Sequence, residues 1–413
     1  MNYPIKILYV HEPAGGGSLV ALYELIRNLD LKEIQPYVIC YYKNCYSQRL
    51  ENIPGCKVFY LNEKEELFHN DSQARIGHSR INNYLSGEMN TFKKYFFKDK
   101  SEVRKIATII HEIRPTIVHH NNGLTVNRSS IRAAMKFDIP QIVHTRGIWK
   151  HRKNSIQFLI DHYLSRKINK WIFYTKDAKN FHEKMFHIPA KSMYVFNDFI
   201  DVQQFHDKPA DSTLRKELNL KEEDFIITAP GRIIEWKGQH ILLEALHLIK
   251  EKIKPFKLLI VGSAEKGIGS EVYLEKLKQM VATMKIQQEV LFMGNRNDMP
   301  EIINLSNLVV HSAIKPEPQG LVIIEALFCR KKIVATDAGG AAELVHRYGG
   351  VLVKPGDVES LAAAIVDRFE HRNDNRTKLE EMQFEQLKSD FEARKKMNEI
   401  MDLYQDLLKV KQV

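Results

Sequence analysis

The sequence predicts two open α/β domains, each built on a parallel sheet, and three observations carry that expectation. Short apolar runs of strand length alternate with longer runs of helical spacing from Ile5 to Phe196. Pro209-Ala210-Asp211-Ser212 interrupts the pattern with a linker and a helix cap, and the alternation restarts at Phe225. A length of 413 residues suits two or three domains, and 44% hydrophobic residues suffice for their cores. The boundary is expected near residue 206, giving segments 1–205, 206–383 and 384–413.

In order, Ile5 to Val10 reads as a buried strand, Pro13 to Ser18 as a glycine-rich turn, and Leu19 to Leu29 as a helix through Leu22, Leu25, Ile26 and Leu29. GxGxxG is absent from that turn, so a dinucleotide-binding dehydrogenase is disfavoured. Strands follow at Tyr37 to Tyr42 and Lys57 to Leu61. Asn62 to Lys100 shows no clear period, and helical spacing resumes from Ser101 to Ile113. The run Thr116-Ile117-Val118 delivers His119-His120-Asn121-Asn122-Gly123 to a strand end, where ligands of parallel sheets bind. The strand at Pro140 to His144 leads into Arg146 and a basic, aromatic segment reaching Trp171. A helix from Thr175 to Phe186 and a short strand at Met193 close the first series.

In the second series, strands are expected at Phe225 to Ala229, Phe256 to Val261, Val290 to Gly294, Leu308 to His311 and Ile333 to Thr336. Helices are expected at Ile241 to Lys250, Glu271 to Met284 and Leu321 to Phe328, beyond Asp357 through Leu361, Ala364, Ile365 and Phe369, and one amphipathic helix from Phe384 to Leu408. The stretch His311 to Val345 combines two carboxylates with a helix start. Pro316, Pro318 and Gly320 keep Glu317 on a loop, while Glu325 is the sole charge of the apolar helix that follows. Free N–H groups of Gly320, Leu321 and Val322 at such a helix start attract a phosphate or pyrophosphate. On a helical path the two acids would lie about 12 Å apart, the scale of a sugar diphosphate.

Composition narrows the classes. No stretch of about 18 apolar residues occurs, so no membrane span is expected, and a cytoplasmic protein, peripheral on the inner membrane face at most, is the expectation. Cys40, Cys45, Cys56 and Cys329 form neither a CxxC pair nor a metal spacing. A formal charge of +10 points to an anionic partner.

The segment Glu317-Pro318-Gln319-Gly320-Leu321-Val322-Ile323-Ile324-Glu325-Ala326 resembles the EPxGLxxxEA motif of the retaining GT-B glycosyltransferases of family 4, the glycosyl transferases group 1. Gly231-Arg232 and Lys237-Gly238 resemble that family's GR…KG segment, and the likeness extends over most of the chain. The resemblance implies a GT-B fold: two Rossmann-like domains facing across a cleft, with a C-terminal helix crossing back to the first. It implies that Glu317 contacts sugar hydroxyls and Glu325 the ribose. The amides from Gln319 to Val322 would meet the phosphates, and Gly231, Gly262 and Gly294 would line the donor site. Gln319 replaces an aromatic residue frequent in the family. Arg232 and Lys237 become diphosphate ligands, which suits a reaction that leaves negative charge on a departing diphosphate. No DxD motif occurs, so no metal or other cofactor is expected.

On the first domain the resemblance assigns Gly16 and Gly17 to the donor side. It aligns His119 with the first histidine of an HxH-like strand end and leaves His120 or Asn121, with Arg146, for the sugar or acceptor. The implied activity is metal-independent transfer of a sugar, with retention, from a UDP- or GDP-linked donor to a hydroxyl of a glycan or lipid-linked acceptor, in cell-surface polysaccharide or glycolipid synthesis. A nucleotide-sugar epimerase of the same fold is the alternative. A nucleic-acid binder using the basic face is less favoured, while an anionic membrane surface is a partner that face could equally serve.

Overall fold

The computed structural model describes residues 4–11, 16–43, 45–62, 95, 99–147, 155–198, 200, 202–264 and 269–409. The described chain divides into two compact units: residues up to 198 with those from Ala393 onward form one, and Ile200–Glu392 the other. Each is a Rossmann-like domain with a fully parallel sheet, as the GT-B fold requires. The boundary lies before Ile200 rather than at residue 206, because Ile200 and Phe205 already pack into the core of the second domain.

The first domain contains β1 (Ile5–His11), α1 (Gly16–Arg27), β2 (Ile34–Cys40), α2 (Cys45–Glu51), β3 (Lys57–Tyr60), α3 (Lys100–Ile113) and β4 (Ile117–His120). It continues with α4 (Arg128–Met135), β5 (Gln141–Thr145), α5 (Ile156–Ser165), β6 (Lys170–Phe173), α6 (Lys176–Phe186) and β7 (Met193–Val195). The strand order is β3-β2-β1-β4-β5-β6-β7. Strands covered on both faces must be apolar throughout, and Ile7 to Val10 are wholly buried for that reason. The order reverses between β1 and β4, which opens a crevice at their C-terminal ends.

The second domain contains α7 (Ser212–Glu217), β8 (Phe225–Pro230), α8 (Gln239–Ile249), β9 (Phe256–Val261), α9 (Ser270–Thr283), β10 (Val290–Gly294), α10 (Met299–Leu305) and β11 (Leu308–His311). After them come α11 (Leu321–Phe328), β12 (Lys332–Thr336), α12 (Gly339–Tyr348), β13 (Val351–Val353), α13 (Val358–Glu370) and α14 (Lys378–Asp390). Its order, β10-β9-β8-β11-β12-β13, reverses between β8 and β11.

The single helix expected from Phe384 to Leu408 is two helices, α14 and α15 (Ala393–Lys409). Its apolar residues serve two cores. Phe391 packs with Phe328 and Tyr348 of the second domain, whereas Ile400, Leu403, Tyr404 and Leu407 enter the core of the first beside Ile7, Tyr9 and Leu22. A straight helix could not present one stripe to both, so the chain turns at Phe391. The hydroxyl of Tyr404 lies 3.0 Å from that of Tyr9 and 2.9 Å from His119 Nδ1, fully buried. Replacing Tyr404 by phenylalanine should therefore cost about 1–3 kcal/mol, because two buried polar groups lose their partner. Denaturant unfolding checks this, and an unchanged midpoint would show that the hydroxyl contributes nothing.

Candidate active site

Loops following β8 and β11 flank the crevice of the second sheet and are tied together by main-chain contacts. Ile314 N–H donates to the Trp236 carbonyl over 2.8 Å, and Ser312 Oγ donates to the Lys237 carbonyl over 3.2 Å. At their closest approach Gly238 has φ +69°, and a Cβ there would lie 2.0 Å from the Ser312 carbonyl oxygen. No other residue allows that approach. The contact carries Lys237 to Glu317: Lys237 Nζ donates to Glu317 Oε2, and His311 Nε2 donates to the same oxygen over 2.8 Å. Burial alone would raise the Glu317 carboxyl, but the ammonium of Lys237 and the N–H of His311 outweigh it and hold the group at about 2. Glu317 is thus a fixed carboxylate at neutral pH. An ammonium has three donors, so Lys237 can hold Glu317 and still offer an N–H to an anion.

The Glu317 main chain is held from the far side. It bridges to Gly339, and its carbonyl accepts from Gly340 N–H over 2.7 Å. Gln319 is buried, its main chain against Gly340. Gly320, at φ 78° and ψ 51°, starts α11, whose first amides have no carbonyl one turn earlier to bond. Glu325, on the second turn, has no side-chain hydrogen bond or ion pair among the described residues, and burial pushes its carboxyl up to about 7. An unpaired carboxylate kept in such a place costs stability at neutral pH. Glu325→Gln should accordingly stabilise the domain at pH 8 by about 1–3 kcal/mol while weakening ligand binding. Calorimetry with and without nucleotide tests both halves, and loss of stability in the variant would contradict this account.

Gly231, Gly262 and Gly294 end the adjacent strands β8, β9 and β10. Gly231 N–H donates to the Val261 carbonyl over 2.8 Å, and Gly262 N–H to that of Gly294 over 2.9 Å. Arg232 is exposed, and its carbonyl accepts from Gln239 Nε2 over 2.9 Å, which pins the loop. The expected donor-side residues of this domain therefore lie at one sheet edge. The residue missed was His311. It is buried at the end of β11, and only the folded loop shows that it meets Glu317.

The family model described as glycosyl transferases group 1 matches residues 211–385 and so contains every residue of this edge. The second domain matches glycosyl transferases group 1. Among curated members of similar sequence, the N-acetyl-alpha-D-glucosaminyl L-malate synthase of Bacillus anthracis is 26% identical over 226 residues, 54% of this chain and 55% of the relative. A GDP-mannose-dependent alpha-(1-6)-phosphatidylinositol monomannoside mannosyltransferase of Mycobacterium tuberculosis is 26% identical over 189 residues, 43% of this chain and 47% of the relative. The chain thus spans about half the length of these curated relatives. Among solved structures, Anabaena Alr3699/HepE in complex with UDP-glucose superposes with a TM-score of 0.77 at 23% identity, covering 97% of this chain and all of that one. That likeness shows that the fold of both domains is shared.

At the crevice of the first sheet, three adjacent strand ends contribute a polar layer. Arg146, just past β5, donates from Nε and Nη2 to Asn121 Oδ1 over 3.0 and 2.6 Å, and from Nη1 to Asp198. Asn121 Nδ2 lies 3.0 Å from His11 Nδ1 and donates to the Ser18 carbonyl over 3.0 Å. Beneath lie Tyr9, His119 and His144, with His119 5.2 Å from Tyr9 and 5.5 Å from His144 between ring centroids. Gly16 and Gly17 head α1 beside this crevice.

Two expectations for this domain are corrected. His120 cannot take the sugar-facing role. The strand alternation turns it to the opposite face from His119, where Ser130 Oγ and Gln141 Oε1 occupy its ring nitrogens at 2.9 Å each. Arg146 and Trp171 do not belong to a basic surface, since both are buried. The exposed described residues of that segment are Leu159, Tyr163, Arg166, Lys167 and Asn169, with Lys167 over the Tyr163 ring. Residues 148–154 and 12–15 lie outside the described chain. No group of three or more potential metal ligands occurs among the described residues, and no described helix is long and apolar enough to cross a membrane.

Proposed function

We propose that the protein is a retaining, metal-independent glycosyltransferase that moves a sugar from a UDP- or GDP-linked donor to a hydroxyl of a glycan or lipid-linked acceptor, in polysaccharide or glycolipid synthesis. The observation that carries this reading is the grouping of Lys237, Glu317 and His311 beside the start of α11, in a domain of the glycosyl transferases group 1. A fixed cation next to an open helix start can stabilise the charge of a departing diphosphate without reorganising. In this reading the ionised Glu317 accepts hydrogen bonds from sugar hydroxyls and Glu325 accepts them from the ribose. Attack occurs on the face the leaving group vacates, through an oxocarbenium-like state, with the leaving phosphate assisting deprotonation of the acceptor. The relatives' names span GDP-mannose and UDP-glucose, so both bases belong in the test.

Incubation of UDP- and GDP-sugars with glycan and polyprenyl-phosphate acceptors, scored by mass shift of the acceptor, should show transfer that persists in EDTA. A donor that is only isomerised without acceptor would instead indicate an epimerase. For the membrane, reversing Lys150, Arg152 and Lys153 to glutamate should release the protein from vesicles containing phosphatidylglycerol or raise the acceptor requirement at low salt, with donor affinity unchanged. If binding and acceptor kinetics both match wild type, the segment is a solvated face.

A further inference from the structure

Lysine is almost never covered unless it is paired, yet the Lys237 side chain is only 11% exposed. Its cover is mixed. The outer stem lies along the Gly231 main chain, where a Cβ would come 3.7 Å from Cδ, Cε and Nζ alike. Glu317 takes one of its N–H groups. Further cover is aromatic, since Nζ stands 4.8 Å from the centroid of the half-buried Trp236 ring, within the distance at which an indole face attracts a cation. Consecutive side chains normally diverge, in strands and in helices alike. These two meet on the single 3-10 turn Glu235–Lys237, with Lys237 bent back over Gly231 and the Trp236 carbonyl tied to Ile314 N–H. Among the described residues no other ring stands over Lys237.

We propose that Trp236 is a positioning residue, whose indole face holds the Lys237 ammonium in place for the departing diphosphate. A four-carbon stem has much rotamer freedom to lose, and a cation already fixed stabilises developing charge without that loss at the moment of reaction. Glu317 by itself restrains the ammonium at one point. A second carboxylate would steady it further but would make the Lys237 cluster net negative, and a diphosphate would be repelled. An indole face attracts the ammonium through its quadrupole and brings no negative charge. The lysine is fixed, and the ligand still meets a cation.

This role rests on the proposed glycosyl transfer, but the contact itself is tested first and without substrate. In protein carrying 13C-labelled lysine, with the signal assigned by its loss in Lys237→Arg, the ring current should place the Cε protons of Lys237 upfield of the range of exposed lysines. Trp236→Leu should return them to that range, and Trp236→Phe should keep them upfield. A wild-type signal among those of exposed lysines overturns the proposal whether or not any sugar transfer is found. With a donor and acceptor pair in hand, Trp236→Leu should lower kcat by about 5- to 30-fold, the range for losing one desolvated cation–π contact. The KM for donor should stay within about threefold, and Trp236→Phe, which keeps a ring, should retain most of the activity. In a Lys237→Met background the same Trp236→Leu change should cost less than about twofold, because an effect that acts through Lys237 vanishes with it. Equal losses with and without Lys237, or phenylalanine no better than leucine, would show that Trp236 serves loop packing alone.

Discussion

Lys237→Ala is expected to lower turnover by about 10²- to 10³-fold, the range for removing one preorganised group from developing transition-state charge. Two consequences follow from its place beside Glu317. In the proposed reaction charge on the leaving diphosphate loses its fixed counterion, and the Glu317 carboxylate keeps only the N–H of His311. The second effect should raise the Glu317 carboxyl from about 2 towards its ordinary range, so the variant's residual activity should fall with acid at a higher pH than the wild type does. Arg232→Ala should reduce turnover as well, without that shift, since Arg232 is exposed. Single-turnover rates measured from pH 4 to pH 8 distinguish the two. Near-normal turnover in both variants would remove these residues from the chemistry.

The second large effect is acid sensitivity of the first domain. Burial depresses His11 to about 3 and His120 to about 4, and it takes His119 and His144 well below the ordinary value of 6.5. Below pH 6.5 the unfolded chain takes up protons that the folded domain refuses, so stability must fall as the pH drops from there, at about 1.4 kcal/mol per unit for each such group. At pH 5 the four together should cost on the order of 8 kcal/mol, as much as a marginal domain possesses. Calorimetry should show a transition that drops by roughly 15–30 °C between pH 7 and pH 5. In His144→Phe, which keeps the ring contacts with Tyr174 and Phe196, the slope should be shallower. A transition that stays put over that range would mean these rings are hydrated.

The parallel sheets were legible because their strands are continuous apolar runs, and the gathering at one sheet edge of the glycines, Arg232, Lys237, Glu317 and Glu325 because they follow strand ends at short, readable distances. What stayed hidden involves partners distant in the chain or a pattern that does not change. His11 and Asn121 lie 110 positions apart, and nothing local marks them as neighbours. Arg146 resembled part of a basic surface because its neutralising partner, Asp198, is 52 positions away. Phe391 continues the apolar spacing of the last helices, so the turn there leaves no trace in the periodicity. Helices α2, α4, α10 and α12 were not assigned, because their polar or glycine-rich starts read as loop.

The return of α15 to the first domain also orders events during synthesis. The core of that domain holds Ile400, Leu403, Tyr404 and Leu407, and nearly two hundred residues of the second domain are made before they appear. At about 5–20 residues per second, the face that will hold α15 waits on the order of 10–40 s. The second domain, continuous in the chain, can close first even though it is made later. During that interval the apolar face around Ile7, Leu22 and Leu25 stands open on the ribosome, where a chaperone or a neighbouring nascent chain would meet it before its own helix does.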